Sequence, residues 1–532
     1  MKHLNSCPSL PKMIRPSVST PSTSMTTRMI FLSFSSISLQ SPSSYQACLL
    51  VTTGYIPNQS MAKVDLSYRM PLKAREIVEA FLSRGGERIY LVGGFLRDLL
   101  LGRESHDIDL LYMGNPLEIL ENMDRPFFPL DVPRGIYRMM WGEYQVDVAA
   151  PKASFLEEDL RERDFTVNAM AYSLAGKELL DPWGGMEDLE ARRLRAVTPW
   201  AFREDPLRVL RAFRISLQLS FTPTQDTLEL ATRVAPLLSQ VAKERIKEEF
   251  SLILAHPHSV EVFKAMARRG VLGVLFPEVE EGKGILQGKW LGTDLRGHLL
   301  GTLYSLERIL PYLRDFFPLH SSSIKDLLVE EVEGGYSRLK VLKLAAFLHD
   351  IGKPSTMVRR GNDLTFWGHD REGGERVRTL GERLGLGTRA SGLLAILVSH
   401  HMWLHLLARQ EEVTPRAKGR FFRRLGRDGG AVILLSLADA LASSGEVGFY
   451  LLLPLAKEMM DFYYSRFLVD RRLQRPLLSG HEVMEILSLK PGPQVGEVLK
   501  ALVEAQSEGR VTNLEEAREF LLGLKVRGQM QR

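Results

Sequence analysis

The chain has 532 residues, 45% of them apolar and 25% charged, with a formal net charge of +5 and a pI near 9.0. That balance describes a globular protein of several domains and permits a polyanionic partner without requiring one. Both cysteines, Cys7 and Cys48, fall within residues 1–60, which excludes a disulfide framework or a thiolate zinc site in the rest of the chain.

Residues 1–60 are rich in Ser and Thr, carry a few Lys and Arg, and precede the first acid, Asp65. They are transit-peptide-like, or else Met61 is the true start; on either reading they stand apart from the fold. No apolar run approaches the length of a membrane span, since serines break the nearest, 29–51. Residues 72–82 place Leu72, Ile77, Val78, Phe81 and Leu82 at helical spacing and stop at Gly85-Gly86. Residues 88–92 then read as a strand, 95–101 as a short helix and 106–112 as a second strand. "GIYRMMWGEYQVDVAA" alternates on both sides of Gly142-Glu143 and predicts a hairpin. "RDFTVNAMAYSL" returns to helical spacing, and the α/β region ends near Val197. From Arg203 onward nearly everything reads as helix, with a boundary at 275–290.

The stretch "YLVGGFLRDLLLGRESHDIDLL" concentrates unusual chemistry. Strand alternation puts Asp107 and Asp109 on one face, with Ile108 and Leu110 turned to the core. Like charges so placed persist in water or around a cation, and paired carboxylates with substrate phosphates are an ordinary Mg²⁺ environment. Gly93-Gly94 follows a strand and opens a helix, where backbone N–H groups can face a triphosphate. Arg97 sits one turn further on, suited to a bidentate phosphate contact. Taken singly, an Asp-x-Asp is usually a solvated turn and a Gly-Gly a loop; the order and spacing together are what carry information.

In that order the chain resembles the class II tRNA nucleotidyltransferases (CCA-adding enzymes) and bacterial poly(A) polymerases. "DLRERDFTVNAMAYSL", "DPWGGMEDLEARRLRAV" and "FREDPLRVLRAFRISLQLSF" continue the likeness to Phe221. The resemblance implies Mg²⁺ on Asp107 and Asp109, which would be catalytic, and nucleotide contacts from Gly94, Arg97 and Arg163. Family members commonly show adjacent arginines where this chain has Arg161-Glu162-Arg163, so Glu162 leaves the neighbour's role open. Asp147, between two inward valines, is a candidate third carboxylate by strand position; a structural Asp on an exposed face fits equally.

In "REDPLRVLRAFR", Pro206 suits a first helical position and Asp205 the N-cap before it, a complete account of Asp205 by itself. Arg208, Arg211 and Arg214 recur every third residue as a basic ridge, for which a solvated face is the default. The family resemblance implies more. Asp205 would accept from the exocyclic amine of C or A and Arg208 would donate to a ring nitrogen, while U and G lack the matching amine. Arg211 and Arg214 would make surrounding nucleotide contacts, with Glu204 in support.

A second constellation runs through "LAAFLHDIGKPSTM". The order His298, His349-Asp350, Asp439 resembles the all-helical HD phosphohydrolase superfamily. That likeness implies these four as ligands of a transition metal or Mg²⁺, with His369 and His400 available for a second ion. It implies a metal-dependent phosphoesterase acting on 2′,3′-cyclic or 2′-phosphate ends, or else a retained fold serving as an RNA-binding body. "RAKGRFFRRLGR" carries six basic residues and two phenylalanines, fit either for phosphate contact with stacking aromatics or for an amphipathic helix with the Phe pair in the core.

The expected architecture is an α/β nucleotidyltransferase head with a mixed β-sheet palm, then an all-α neck, an HD-type helical domain and a helical tail. The boundaries expected are a targeting-like or disordered extension over 1–62, head 63–200, neck 201–284, HD domain 285–450 and tail 451–532. The expected activity is template-independent addition of C, A or both to the tRNA 3′ end from CTP and ATP, in the cytoplasm, with organellar targeting only if residues 1–60 are genuine. No membrane partner is expected and the oligomeric state is open. A poly(A) polymerase, or an HD phosphohydrolase with a nucleotide-sensing head, are the alternatives.

Overall fold

The computed structural model describes residues 61–286, 293–360, 363–469, 474–507 and 510–529. Residues 1–60, with both cysteines, and residues 287–290 of the expected boundary lie outside the described residues.

The head is built on one sheet. Its strands are β1 (Met61–Lys63), β2 (Ile89–Val92), β3 (Asp107–Tyr112), β4 (Phe127–Asp131), β5 (Ile136–Trp141), β6 (Tyr144–Ala149), β7 (Ala171–Ser173) and β8 (Glu178–Leu180). Their order is β1-β8-β7-β2-β3-β6-β5-β4. β3 and β6 pair in parallel and the other neighbours are antiparallel, so the sheet is mixed. Alternation fixes the faces as expected: Ile108 and Leu110 are buried, and Asp107 and Asp109 share the opposite face. On β6, Val146 and Val148 are buried and Asp147 points the other way. The parallel register sets Asp109 beside Asp147. The β5–β6 hairpin turns at Gly142-Glu143, where Gly142 has φ +64.

Three expectations need correction. Residues 61–62 do not belong to an extension, because β1 pairs with β8 and completes the sheet edge. "RDFTVNAMAYSL" is not a helix: a 3₁₀ turn over Thr166–Asn168 leads into β7. There the Asp164 carboxylate takes the Phe165 N–H and the Asn168 side-chain amide, competing with helical bonding. The apolar residues of this segment are buried on all sides, so their spacing carried no helical face. Finally, the basic helix begins at Arg208 rather than Pro206, although Asp205 still accepts the Leu207 N–H at 3.2 Å.

The head also contains α1 (Leu72–Gly85) and α2 (Gly93–Leu100), the latter starting directly on the end of β2. The helices that follow include α3 (Arg208–Leu219), α4 (Lys243–Ala255), α5 (Leu295–Ile309), α6 (Arg338–Leu348), α7 (His369–Arg383), α8 (Thr388–His400), α9 (Pro415–Leu425) and α10 (Gly429–Phe462). Small hairpins, Glu331–Glu333 with Tyr336–Ser337 and Val358–Arg360 with Asp363–Thr365, interrupt them. Phe250 of α4 and Phe347 of α6 meet through Phe263 and Phe276, with ring centroids 4.7–6.0 Å apart along that path. Edge-to-face pairs of this kind contribute about 0.5–1.5 kcal/mol each beyond area burial, and tie α4 to the helices behind it.

Contrary to the expectation from sequence, 388–407 and 415–467 are long and apolar enough to span a membrane by length and composition. Their apolar windows are 56% and 61% buried inside the protein, as core helices are. α10 also carries Asp439 and a non-helical kink at Gly445. Beyond it, α11 (Gly480–Leu487), α12 (Pro493–Ser507) and α13 (Leu514–Gln529) enclose an apolar cluster of their own around Val483, Leu502 and Leu521. In α9, Phe421 and Phe422 are fully buried, so the Phe pair is core and not a stacking platform.

Candidate active site

A cavity of about 380 Å³, within the ordinary small-molecule range, lies where the head meets α3 and α4. Gly93, Gly94, Asp109, Arg163, Asp205, Arg208 and Arg211 line it. The Gly94 N–H donates to Asp109 Oδ2 at 2.9 Å. Gly93 has φ +69, and a Cβ there would approach the same oxygen to 2.7 Å. Gly93 is therefore required by a carboxylate packed against the strand-to-helix turn. Burial, then the neighbouring Asp147 charge, pushes the Asp109 carboxyl up, against Arg163 and the Gly94 and Phe95 N–H groups. An anion held at this cost is the expected partner of a cation, and carboxylates of this kind fit Mg²⁺. Asp107 lies exposed on the same strand face.

Asp147 stands where strand position put it, but its two oxygens are engaged by Arg138, at 2.7 and 2.8 Å. Asp147 is thus one arm of an ion pair with Arg138.

The predicted nucleotide contacts divide into two groups. Arg163 lines the cavity; its Nη2 reaches Asp159 Oδ2 at 3.5 Å, and its Nε is buried without a hydrogen-bond partner. Arg208 also lines it and donates to the carbonyls of Ala201, at 3.0 Å, and Glu162. Arg97 does not line the cavity: it is held by Asp98 at 2.9–3.0 Å and by Asn168 Oδ1 at 2.8 Å. Arg214 is buried behind α3, bonded to Glu249 at 2.6 Å and Gln218 at 2.7 Å. Arg211 reaches the cavity but also bridges Asp164, at 2.7 and 2.9 Å, and Glu249, at 3.3 Å. Arg97, Arg211 and Arg214, expected at the nucleotide, are joined in a compensated network with Asn168, Asp164 and Glu249. Burial alone would raise the Asp164 carboxyl; Arg211 and Asn168 hold it well below the usual carboxylate range.

Sequence reasoning missed Arg138, Arg245 and Glu249. Arg138 was legible: counting outward from the Gly142-Glu143 turn pairs it with Asp147. Arg245, bonded to Asp205, and Glu249 are long-range partners with no local signal.

The second constellation assembles between α5, α6, α7 and α10. His298 Nε2 lies 3.1 Å from His349 Nε2, 3.3 Å from Asp350 and 3.2 Å from Asp439. His369 and His401 bring Nε2 to 3.2 and 3.5 Å from Asp350 Oδ1. His401, not His400, therefore completes the second group; His400 bonds the Ile396 carbonyl and stacks on Trp403. The helical stripe Leu394, Leu397, Val398, His401 was the available signal. The Nδ1–H groups of His349, His369 and His401 are committed to the carbonyls of Ala346, Phe366 and Val398. Their Nε2 lone pairs then face carboxylate oxygens, and buried Asp350 Oδ1 has no hydrogen-bond partner. Acceptor faces acceptor, an arrangement a metal ion resolves. Burial disfavours a charged His349, while the Asp350 and Asp439 carboxylates beside it favour positive charge at that point. Lys353 and His405 were also missed; they contact Asp350 and Asp439.

A mixed-sheet head with paired carboxylates beneath a glycine turn, followed by a helical body that gathers histidines around two aspartates, defines a nucleotidyltransferase joined to an HD domain. Residues 89–155 and 136–195 match the Poly A polymerase head domain, 220–283 the "Probable RNA and SrmB- binding site of polymerase A", and 296–443 the HD domain. The A-adding tRNA nucleotidyltransferase of Deinococcus radiodurans is 35% identical over 81% of this chain and 94% of its own. The CC-adding enzyme of Thermus thermophilus is 35% identical over 81% and 92%. A solved CCA-adding enzyme in its apo form shares the fold at TM-score 0.61 and 22% identity, over 87% of this chain and 98% of its own. The chain belongs to the tRNA nucleotidyltransferase family.

Proposed function

We propose that this nucleotidyltransferase adds C, A or both to the 3′ end of tRNA without a template, using CTP and ATP and releasing pyrophosphate. The observation that supports it most is the placement of Asp109 and Asp205 in one cavity, a metal-type carboxylate and a base-reading carboxylate sharing a substrate-sized space. Mg²⁺ on Asp107 and Asp109 would supply the charge that neutralises the triphosphate and favours ionisation of the attacking 3′-hydroxyl. Gly94 fixes Asp109 through its N–H. Arg163 brings its guanidinium charge to the phosphate oxygens, and Asp205 and Arg208 address the base edge. The test is incubation of tRNA lacking its terminus with CTP and ATP, separately and together, and with all four nucleotides. The reading predicts extension by C, A or CCA and then arrest. A ladder of A would make the chain a poly(A) polymerase, and no product would remove the assignment.

A second activity is favoured by the orphaned Asp350 Oδ1 among imidazole Nε2 atoms. His298, His349, Asp350 and Asp439, with His369 and His401, would hold a divalent ion, which would supply a Lewis acid for phosphoester hydrolysis. Opening of 2′,3′-cyclic phosphate RNA ends to a monophosphate, or release of phosphate from 2′-phosphate ends, lost on D350N, tests it; the absence of both products with Mg²⁺, Mn²⁺, Ni²⁺ or Co²⁺ present contradicts it.

A further inference from the structure

The carboxylate assigned to the base is itself gripped. Arg245 of α4 places Nη1 3.1 Å from Asp205 Oδ1 and Nη2 2.7 Å from Oδ2, fork against fork. The Leu207 N–H also donates to Oδ1, at 3.2 Å. A carboxylate oxygen accepts about two hydrogen bonds. Oδ1 is therefore saturated, while Oδ2 keeps one acceptor position. Both residues line the cavity that contains Asp109.

Building on the base-reading role given above to Asp205, we propose that Arg245 is a positioning residue that sets nucleobase selectivity. It locks the Asp205 carboxylate so that a single Oδ2 acceptor meets the exocyclic amine of C or A. A carboxylate without the fork would rotate about its terminal bond and present either oxygen. It would also take up a proton more readily, and a protonated carboxyl can donate to the keto oxygen of U, which an ionised one cannot. Burial pushes the Asp205 carboxyl up; the Arg245 hydrogen bonds and charge, the Leu207 N–H and Arg208 together hold it below the ordinary range. Arg134, Lys152 and Glu162 are among the further charged groups lining this cavity, and Arg203 and Glu204 line an adjoining one. The plain alternative is an ion pair that merely joins two helices. The Arg245 side chain is 51% exposed, so such a pair adds little stability and its loss leaves the fold intact.

The experiment measures kcat/KM for CTP against UTP, and ATP against GTP, on tRNA lacking its terminus. For R245Q the discrimination is expected to fall roughly tenfold or more. R245K keeps the charge but makes a single-point contact, so it falls between R245Q and the unaltered chain. Thermal melting of both variants stays within a few degrees of the unaltered chain. Unchanged discrimination in R245Q, whatever its overall rate, overturns the proposal, as does R245K discriminating as well as the unaltered chain. D205N in the same assay separates the two layers. If D205N still discriminates, the base-reading assignment falls and this proposal with it. If D205N loses discrimination and R245Q keeps it, the role of Arg245 alone is wrong.

Discussion

Replacing Gly93 by Ala tests the packing of Asp109 against the glycine turn. The residue has φ +69, a region that costs an L-residue about 1–2 kcal/mol. The new Cβ would sit 2.7 Å from Asp109 Oδ2 and 3.3 Å from Arg163 Nη1, where ordinary contact begins at 3.4 Å. The carboxylate has to retreat by a large part of an ångström, and the turn cannot relax without breaking the Gly94 N–H bond to the same oxygen. A misplacement of about 1 Å in a reacting constellation can cost on the order of 100-fold in rate. Single-turnover nucleotide addition by G93A is therefore expected to slow by about two orders of magnitude, with a destabilisation of about 1–2 kcal/mol in chemical denaturation. Gly94 is the internal control for stability: its φ is not in the positive region, and a Cβ there meets nothing closer than 3.6 Å. G94A should unfold like the unaltered chain. A G93A protein as stable and as fast as the unaltered one would refute the reasoning.

Arg211→Met leaves Asp164 and Glu249 buried without their shared cation, which should cost about 3–5 kcal/mol in denaturant unfolding. Because the Asp164 carboxyl lies well below its unfolded value, its contribution is complete above the ordinary carboxylate range and is lost as pH falls below it. Stability of the unaltered chain should thus decline as pH drops from about 5 towards 2, more steeply than in D164N, in urea titrations at each pH. His401→Ala should strip metal from the HD domain in elemental analysis, whereas His400→Ala should retain it, because His401 and not His400 faces Asp350. Equal metal content in both variants would contradict the arrangement of that site.

What the sequence made legible was local. Asp107, Asp109 and Asp147 were placed correctly because strand alternation has a period of two and buried Ile108, Val146 and Val148 set its phase. The hairpin at Gly142 followed from the same pattern. The segment after Arg163 misled because Phe165, Val167 and Met170 are buried from all sides, so spacing held no information about a face. The arginine ridge misled for a different reason. Its period was right, but whether Arg214 meets a nucleotide or Glu249 depends on a helix 35 residues away. Arg245 belongs to that same helix, and nothing near Asp205 in sequence announces it. The clustering of His298, His349, Asp350 and Asp439 was legible in their order; choosing between His400 and His401 required the helical phase set by Leu394 and Leu397.

The account turns on a divalent ion bound at Asp109 with the nucleotide. Mn²⁺ titration followed by electron paramagnetic resonance, with a non-hydrolysable CTP analogue present, tests this most directly. The unaltered chain is expected to bind at least one more Mn²⁺ than D109N, and the difference should vanish when the analogue is omitted or strongly weaken. Equal Mn²⁺ binding by the two proteins with the analogue present would contradict the account.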